Sequence, residues 1–204
     1  MTTNLWTISR LNALLILTCL AIPMKSSAAS EKTLFDFKRA TNAPVWQVVN
    51  DDVMGGGSMS QLQVLTNNMA LFSGKVSLEN NGGFASVRSG PAPEDFTGLE
   101  AFVIRVRGDG RRYKFTVRTE PRFNTPFYQS TFPTLAGKWE EHRLPFKDFV
   151  PTFRGRVLKD LPPLDPGKAP SLGFLIADKQ AGTFRLEIDW IKASPAKPDS
   201  NLHK

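Results

Sequence analysis

Leu99-Glu100-Ala101-Phe102-Val103-Ile104-Arg105-Val106-Arg107-Gly108-Asp109-Gly110-Arg111-Arg112-Tyr113-Lys114-Phe115-Thr116-Val117-Arg118-Thr119 is the stretch whose reading decides the fold class. Phe102, Ile104 and Val106 fall on one side of an extended chain, with Val103, Arg105 and Arg107 on the other. Beyond Gly108-Asp109-Gly110, Tyr113, Phe115 and Val117 oppose Lys114, Thr116 and Arg118. Successive side chains of a strand point to opposite faces. A period of two with one apolar and one polar face therefore describes antiparallel strands covered on one side.

The same alternation returns at Phe184, Leu186, Ile188 and Trp190 against Arg185, Glu187 and Asp189. Leu172–Ala177 is a continuous apolar run, which places it in the middle of a sandwich. Shorter candidate strands are Leu34–Phe37, Val45–Val49, Leu62–Leu65, Ala70–Phe72, Phe84–Arg88, Phe127–Phe132 and Trp139–Leu144. Turn signals rich in Gly and Asn separate them, because both residues tolerate positive φ. Asn80–Gly83, Gly108–Gly110 and Ala181-Gly182 read as tight turns or hairpins. No segment carries a long 3.6-residue stripe, and Pro145–Val150 fits a short helical turn. About ten short strands predict an all-β protein, a jelly-roll-type antiparallel β-sandwich in a single domain over residues 29–193.

The chain has 204 residues, 41% apolar and 22% charged, enough for one domain with a real core. These proportions exclude wholesale disorder and a polytopic membrane protein. Residues 1–28 read as a signal peptide: Arg10, an apolar run Leu11–Met24 broken by Pro23, then Ser26-Ser27-Ala28-Ala29. That reading predicts a periplasmic or secreted protein, touching a membrane only through this segment if it is not removed. Residues 194–204, rich in Pro, Lys and Ser, read as a disordered C-terminal tail.

Without residues 1–28 the chain holds 24 basic and 19 acidic side chains, interspersed, so no nucleic-acid partner is expected. Cys19 is the only cysteine, and His142 and His203 are the only histidines. Thiolate chemistry and cysteine metal sites are therefore not expected, nor is any metal or cofactor. His142 lies in a strand pattern and reads as a half-exposed strand residue.

Three strings carry the candidate binding residues. In Trp46–Ser58 a strand runs into Asp51 and Asp52 and then three glycines. That suits close backbone approach to a ligand, and equally an Asx-type turn. In Asn80–Arg88, the amides of Asn80 and Asn81 and the guanidinium of Arg88 suit sugar hydroxyls or a peptide backbone, and also a plain hairpin. In Phe149–Arg156, Arg154 and Arg156 flank a glycine as a clamp for a carboxylate or phosphate would, or equally as a solvated turn would. The three segments Asp51–Ser58, Asn80–Phe84 and Phe153–Arg156 are expected to converge on one surface, with binding dependent on Asp52, Asn81 and Arg154. The Gly55–Gly57 run lacks the Lys-Ser/Thr ending of a phosphate loop, and Gly108–Gly110 lacks the third glycine of a dinucleotide fingerprint.

Taken in order, these strings resemble the complex I intermediate-associated protein 30 family. The resemblance runs from Leu34 to Ile191. It rests on Trp46, Asp51-Asp52-Val53-Met54-Gly55-Gly56, Ser58, Phe72-Ser73-Gly74, Asn80–Phe84, Arg107–Arg111, Tyr113, Trp139, Phe153–Arg156, Gly173-Phe174, Asp178-Lys179, Gly182 and Phe184–Leu186. It implies a galactose-binding-domain-like sandwich and a role like that of the mitochondrial assembly chaperone that helps build the membrane arm of NADH:ubiquinone oxidoreductase. It supplies no catalytic set. The expected function is thus a non-enzymatic, chaperone-like module that binds a protein partner, such as a subunit of a membrane complex. A carbohydrate-binding module, with Trp46 and Arg88 among its contacts, is the alternative. A hydrolase using Asp51 and Asp52 is a second, although neighbouring strand residues point to opposite faces.

Overall fold

The computed structural model describes residues 30–38, 46–90, 95–120, 122, 124–169 and 171–196. The signal-segment reading of residues 1–28 and the tail beyond residue 196 lie outside these. Thirteen strands are described: β1 Lys32–Phe35, β2 Gln47–Asn50, β3 Met59–Val64, β4 Ala70–Val76, β5 Ala85–Arg88, β6 Ala101–Arg107, β7 Arg112–Arg118, β8 Phe127–Pro133, β9 Trp139–Pro145, β10 Val150–Phe153, β11 Arg156–Val157, β12 Ser171–Ile176 and β13 Gly182–Ser194. One sheet has the order β3-β4-β13-β6-β9, with β1 also on β13, and the other the order β11-β10-β8-β7-β12-β5-β2. Every pairing is antiparallel. The all-β jelly-roll sandwich expected from the alternation is the fold observed. The turn expected within Pro145–Val150 is a short 3-10 segment, Phe146–Asp148.

The alternating faces sort as predicted. Phe102, Ile104, Val106, Tyr113, Phe115 and Val117 are all fully buried between the sheets. All six residues of β12 are buried, and this strand lies between β7 and β5. Alternation could not show which strands pair. The turn at Gly108–Gly110 does not close a hairpin, because β6 and β7 lie in different sheets. The same holds for the turns leading from β2 to β3, from β4 to β5 and from β12 to β13. Each is a corner that carries the chain across the core. The true hairpins are β3–β4, β7–β8 and β10–β11. An inward stripe is equally well buried by a neighbour in its own sheet or by the facing sheet, so the pattern is the same for both.

Asp109 fixes one corner. Its carboxylate accepts a hydrogen bond from the Arg185 backbone N–H at 2.9 Å and lies 2.9 Å from the Tyr113 hydroxyl. The β6–β7 crossing is thereby tied to β13.

His142 in β9 is paired with fully buried Ile104 and therefore faces inward. Its ring centroid lies 5.1 Å from that of Phe132 in the other sheet, and its Nε2 has no hydrogen-bond partner among the described residues. Burial pushes its pKa below the ordinary histidine value, against a weaker upward pull from Glu140. A lowered folded pKa means that the stability is complete above the unfolded value, about 6.5, and is lost as pH falls through the folded one. Melting curves at about pH 7 and about pH 5 should therefore show a loss that is smaller in His142→Phe. An unchanged loss in the variant would assign it to other groups.

Candidate functional site

The outer face of the seven-stranded sheet carries a groove of about 570 Å³. Its floor follows from the register. Gln129, Thr116, Gly173, Arg88 and Gln47 stand side by side across β8, β7, β12, β5 and β2, and Gln129, Thr116 and Arg88 of this row line the groove. Lys114, Leu175, Ser86 and Val49 form the adjoining row. One wall comes from the 3-10 turn Asp51–Met54 and the loop Asn81–Phe84, and the other from the β10–β11 turn. Asp178 and Lys179, from the β12–β13 corner, also line the groove.

Gly173 contributes no side chain to its row. A Cβ there would run into the Val87 carbonyl and the Thr116 hydroxyl, so the position admits no side chain without a shift. Near Gly173 stand Arg88 on β5 and Lys114 and Arg118 on β7. Arg118 lies over the Phe127 ring at 5.1 Å. Burial first, and the nearby charge of Arg88 second, bring the Arg118 pKa down to about 10, so it stays charged at neutral pH. The Arg88 guanidinium bonds the Gln47 amide oxygen at 3.1–3.2 Å, and Lys114 pairs with Asp178 at 2.7 Å.

The β10–β11 hairpin was not legible as strands. Thr152 pairs with Val157 and Phe153 with Arg156. Arg154 and Gly155 between them take φ of +48° and +76°, the backbone of a two-residue hairpin turn. The Arg154 guanidinium lies 5.2 Å from the Phe153 ring centroid and donates to the Asn124 side chain at 3.3 Å.

Of the seven candidate binding residues, Asn81, Arg88 and Arg154 line the groove. The other four stand elsewhere. Asp51 has 0% exposure and cannot reach a ligand. Its carboxylate accepts hydrogen bonds from the Ser58 N–H at 2.8 Å, the Ser58 hydroxyl at 2.6 Å, the Gly83 N–H at 2.6 Å and the Phe84 N–H at 3.1 Å. It joins two crossover loops beneath the groove wall. A Cβ on Gly56 would strike this carboxylate, and one on Gly82 would lie 2.7 Å from its Oδ2. The glycines of both strings thus make room for Asp51, which is the Asx-type structural reading. Asp52 is exposed on the 3-10 turn and does not line the groove. Paired-carboxylate hydrolysis is corrected on this geometry, because one of its two acids is buried and fully hydrogen-bonded. Asn80, at φ +52°, takes the left-handed position of its turn, and Arg156 is exposed on β11; neither lines the groove. Trp46 is no sugar platform either. Its ring packs on Phe35, Phe37 and Phe174 at 5.2–6.5 Å between centroids.

The sequence reading missed Lys114, Thr116 and Arg118, although they form the polar face of its deciding stretch. A polar strand face signals solvent, and nothing in the pattern distinguishes open solvent from a groove floor.

Comparison with known proteins decides the family. The family profile described as "Complex I intermediate-associated protein 30 (CIA30)" matches residues 35–188. The chain belongs to this family. A mouse protein named "Complex I intermediate-associated protein 30, mitochondrial" is 29% identical over 180 residues, covering 78% of this chain and 55% of the relative. A Drosophila melanogaster protein of the same name is 28% identical over 180 residues, covering 78% of this chain and 61% of the relative. This member of the family thus spans less than two thirds of those relatives' length. Their names also overturn the expectation of a periplasmic or secreted protein, since they point to mitochondrial localisation instead. Apolar and small residues near an N-terminus were a poor guide, because an address is read by a receptor and is not fixed by the fold.

Among solved structures, a family 11 carbohydrate-binding module from Clostridium thermocellum, in complex with a β-1,3-1,4-mixed-linked tetrasaccharide, superposes with a TM-score of 0.64. It is 19% identical and covers 83% of this chain and 98% of its own. The agarase AgWH50C gives 0.57 at 12% identity, covering 84% of this chain and 25% of the agarase. These likenesses establish the galactose-binding-domain-like sandwich and nothing about ligands.

Proposed function

We propose that this chain is a non-catalytic binding module that assists the assembly of complex I by holding a protein partner in the groove. The observation that carries the reading is the coincidence of the family match with a single domain whose family motifs build the groove wall. Asp51, Ser58, Gly56 and Gly82 shape that wall, and Asn81, Arg88 and Arg154 are the residues offered to the partner. The place of action is the mitochondrion, by analogy with the named relatives.

Arg154→Asn tests the contact. Asparagine tolerates positive φ, so the turn is kept while the guanidinium is removed. Stability should change by no more than about 0.5 kcal/mol. Cells lacking the chain should accumulate incomplete complex I on native gels, and Arg154→Asn should restore assembly less well than the wild type. Normal complex I in cells lacking the chain would overturn the assembly role. Turnover of a glycan or ester abolished by Asp52→Asn would overturn the non-catalytic part.

A further inference from the structure

We propose that two copies of this chain pair through the free edge of β3, antiparallel and centred on Leu62, to form a closed dimer. β3 ends its sheet, and β2 ends the facing sheet on the same side of the sandwich, where the Ser60 hydroxyl donates to the Asn50 side chain at 2.6 Å. Neither strand, Gln47-Val48-Val49-Asn50 or Met59-Ser60-Gln61-Leu62-Gln63-Val64, carries a charge or a proline, and β3 pairs with β4 without a bulge. Sheet edges are ordinarily protected by these devices. The opposite side of this sandwich has them: Glu140, Glu141, Arg143 and Pro145 in β9, Pro151 in β10 and Arg156 in β11. The unprotected side also leaves core-facing side chains wet. Val64 points the same way as Leu62, which packs against the core, and Val48 pairs with buried Val87, yet the two valines are 43% and 42% exposed.

The register of β3 fits a second copy of itself. Leu65 donates its N–H to the Met69 carbonyl at 2.7 Å across the β3–β4 turn. Gln63, Gln61 and Met59 therefore bond to β4, and the N–H and C=O groups of Ser60, Leu62 and Val64 point away from it. No strand lies on that side among the described residues. Antiparallel pairing about Leu62 sets Leu62 opposite its own copy and Ser60 opposite Val64, and each such pair exchanges two hydrogen bonds. On the outer face Gln61 then stands opposite Gln63. Within one chain the Gln63 Nε2 donates to the Gln61 Oε1 at 3.3 Å, so the Gln61 Nε2 and the Gln63 Oε1 are left as donor and acceptor for the copy. With no charge on the strand, self-pairing sets no like charges opposite one another. The contact uses the same edge of both copies, so it closes at two. Its two-fold axis stands perpendicular to the sheet, and both grooves therefore open on the same side of the dimer.

Sedimentation equilibrium of the 204-residue chain, at concentrations from about 1 to about 100 µM, should show a monomer–dimer equilibrium and nothing larger. Gln61→Lys with Gln63→Lys changes two exposed positions and sets lysines opposite lysines. It should raise the dimer dissociation constant at least about tenfold, with folding checked by melting. The register is read by cross-linking chains that carry Cys19→Ser. A mixture of Gln61→Cys and Gln63→Cys chains should form a disulfide-linked dimer under mild oxidation, and neither should do so alone. Cross-linking decides the question should the double-Lys variant fail to fold. A dimer untouched by the double-Lys change, cross-linking of Gln61→Cys with itself, or larger assemblies would each overturn the proposal. So would a chain that stays monomeric. Slow amide exchange at Ser60, Leu62 and Val64 would then show the edge covered by the chain itself, and fast exchange would leave it to a strand of another protein.

Discussion

Asp51→Asn should destabilise the domain by about 3 kcal/mol or more, lowering the Tm by about 10 °C. The carboxylate is buried and takes four hydrogen bonds on two oxygens, from Ser58 twice and from the Gly83 and Phe84 N–H groups. An asparagine amide has one oxygen and turns its NH2 towards donors, so at least one buried N–H loses its partner. The loss reaches beyond one loop, because Asp51 joins the β2–β3 and β4–β5 crossings. Ser58→Ala, which removes one of the four bonds and also takes the hydroxyl acceptor from the Ser77 N–H, should cost about 2 kcal/mol. The pH dependence gives an independent check. Burial alone raises this carboxyl's pKa, but the bonds from Ser58, Gly83 and Phe84 outweigh it and hold the pKa below the ordinary aspartate value. A lowered folded pKa contributes stability that is complete above the unfolded value of about 3.9 and is lost as pH falls through the folded one. The gap between wild type and Asp51→Asn in urea titrations should therefore narrow below about pH 4. An Asp51→Asn protein as stable as the wild type at neutral pH would mean that the loops are held by other contacts.

Phe102→Ala should cost about 4 kcal/mol. Phe102 is fully buried, and its ring centroid lies 5.1 Å from Phe96, 5.2 Å from Phe115, 4.8 Å from Phe146 and 5.8 Å from Phe149. Phe115 belongs to the facing sheet, so this ring helps join the two layers. Four aromatic neighbours on a two-sheet frame cannot collapse onto an alanine, and the cavity remains. Phe102→Leu, which fills most of the space, should cost about 1.5 kcal/mol. Equal losses for Ala and Leu would show that ring geometry matters more than volume.

Much of the frame was legible because burial on one face writes a period of two into each strand. Phe102-Ile104-Val106 and Tyr113-Phe115-Val117 turned inward as the pattern required. The candidate site was less legible. Asp51 and the glycines around it looked like a ligand loop, since a carboxylate bonded to backbone N–H groups and one awaiting a ligand share the same neighbours in sequence. Residues 150–157 looked like a clamp or turn, because strands of four and two residues are too short to show alternation.

What the sequence by itself determined is the sandwich: which residues face inward, where the chain turns, and the family, because these rest on local order and spacing. The tertiary structure alone decided which turns are corners between sheets and which are hairpins, and so which strands are neighbours. That choice places Arg88 beside Gly173 and Thr116, although they lie far apart in the chain. The groove, its charge and the burial of Asp51 follow from it. Strand pairing is settled by hydrogen bonds and packing between distant segments, and alternation along a single strand carries no record of the partner.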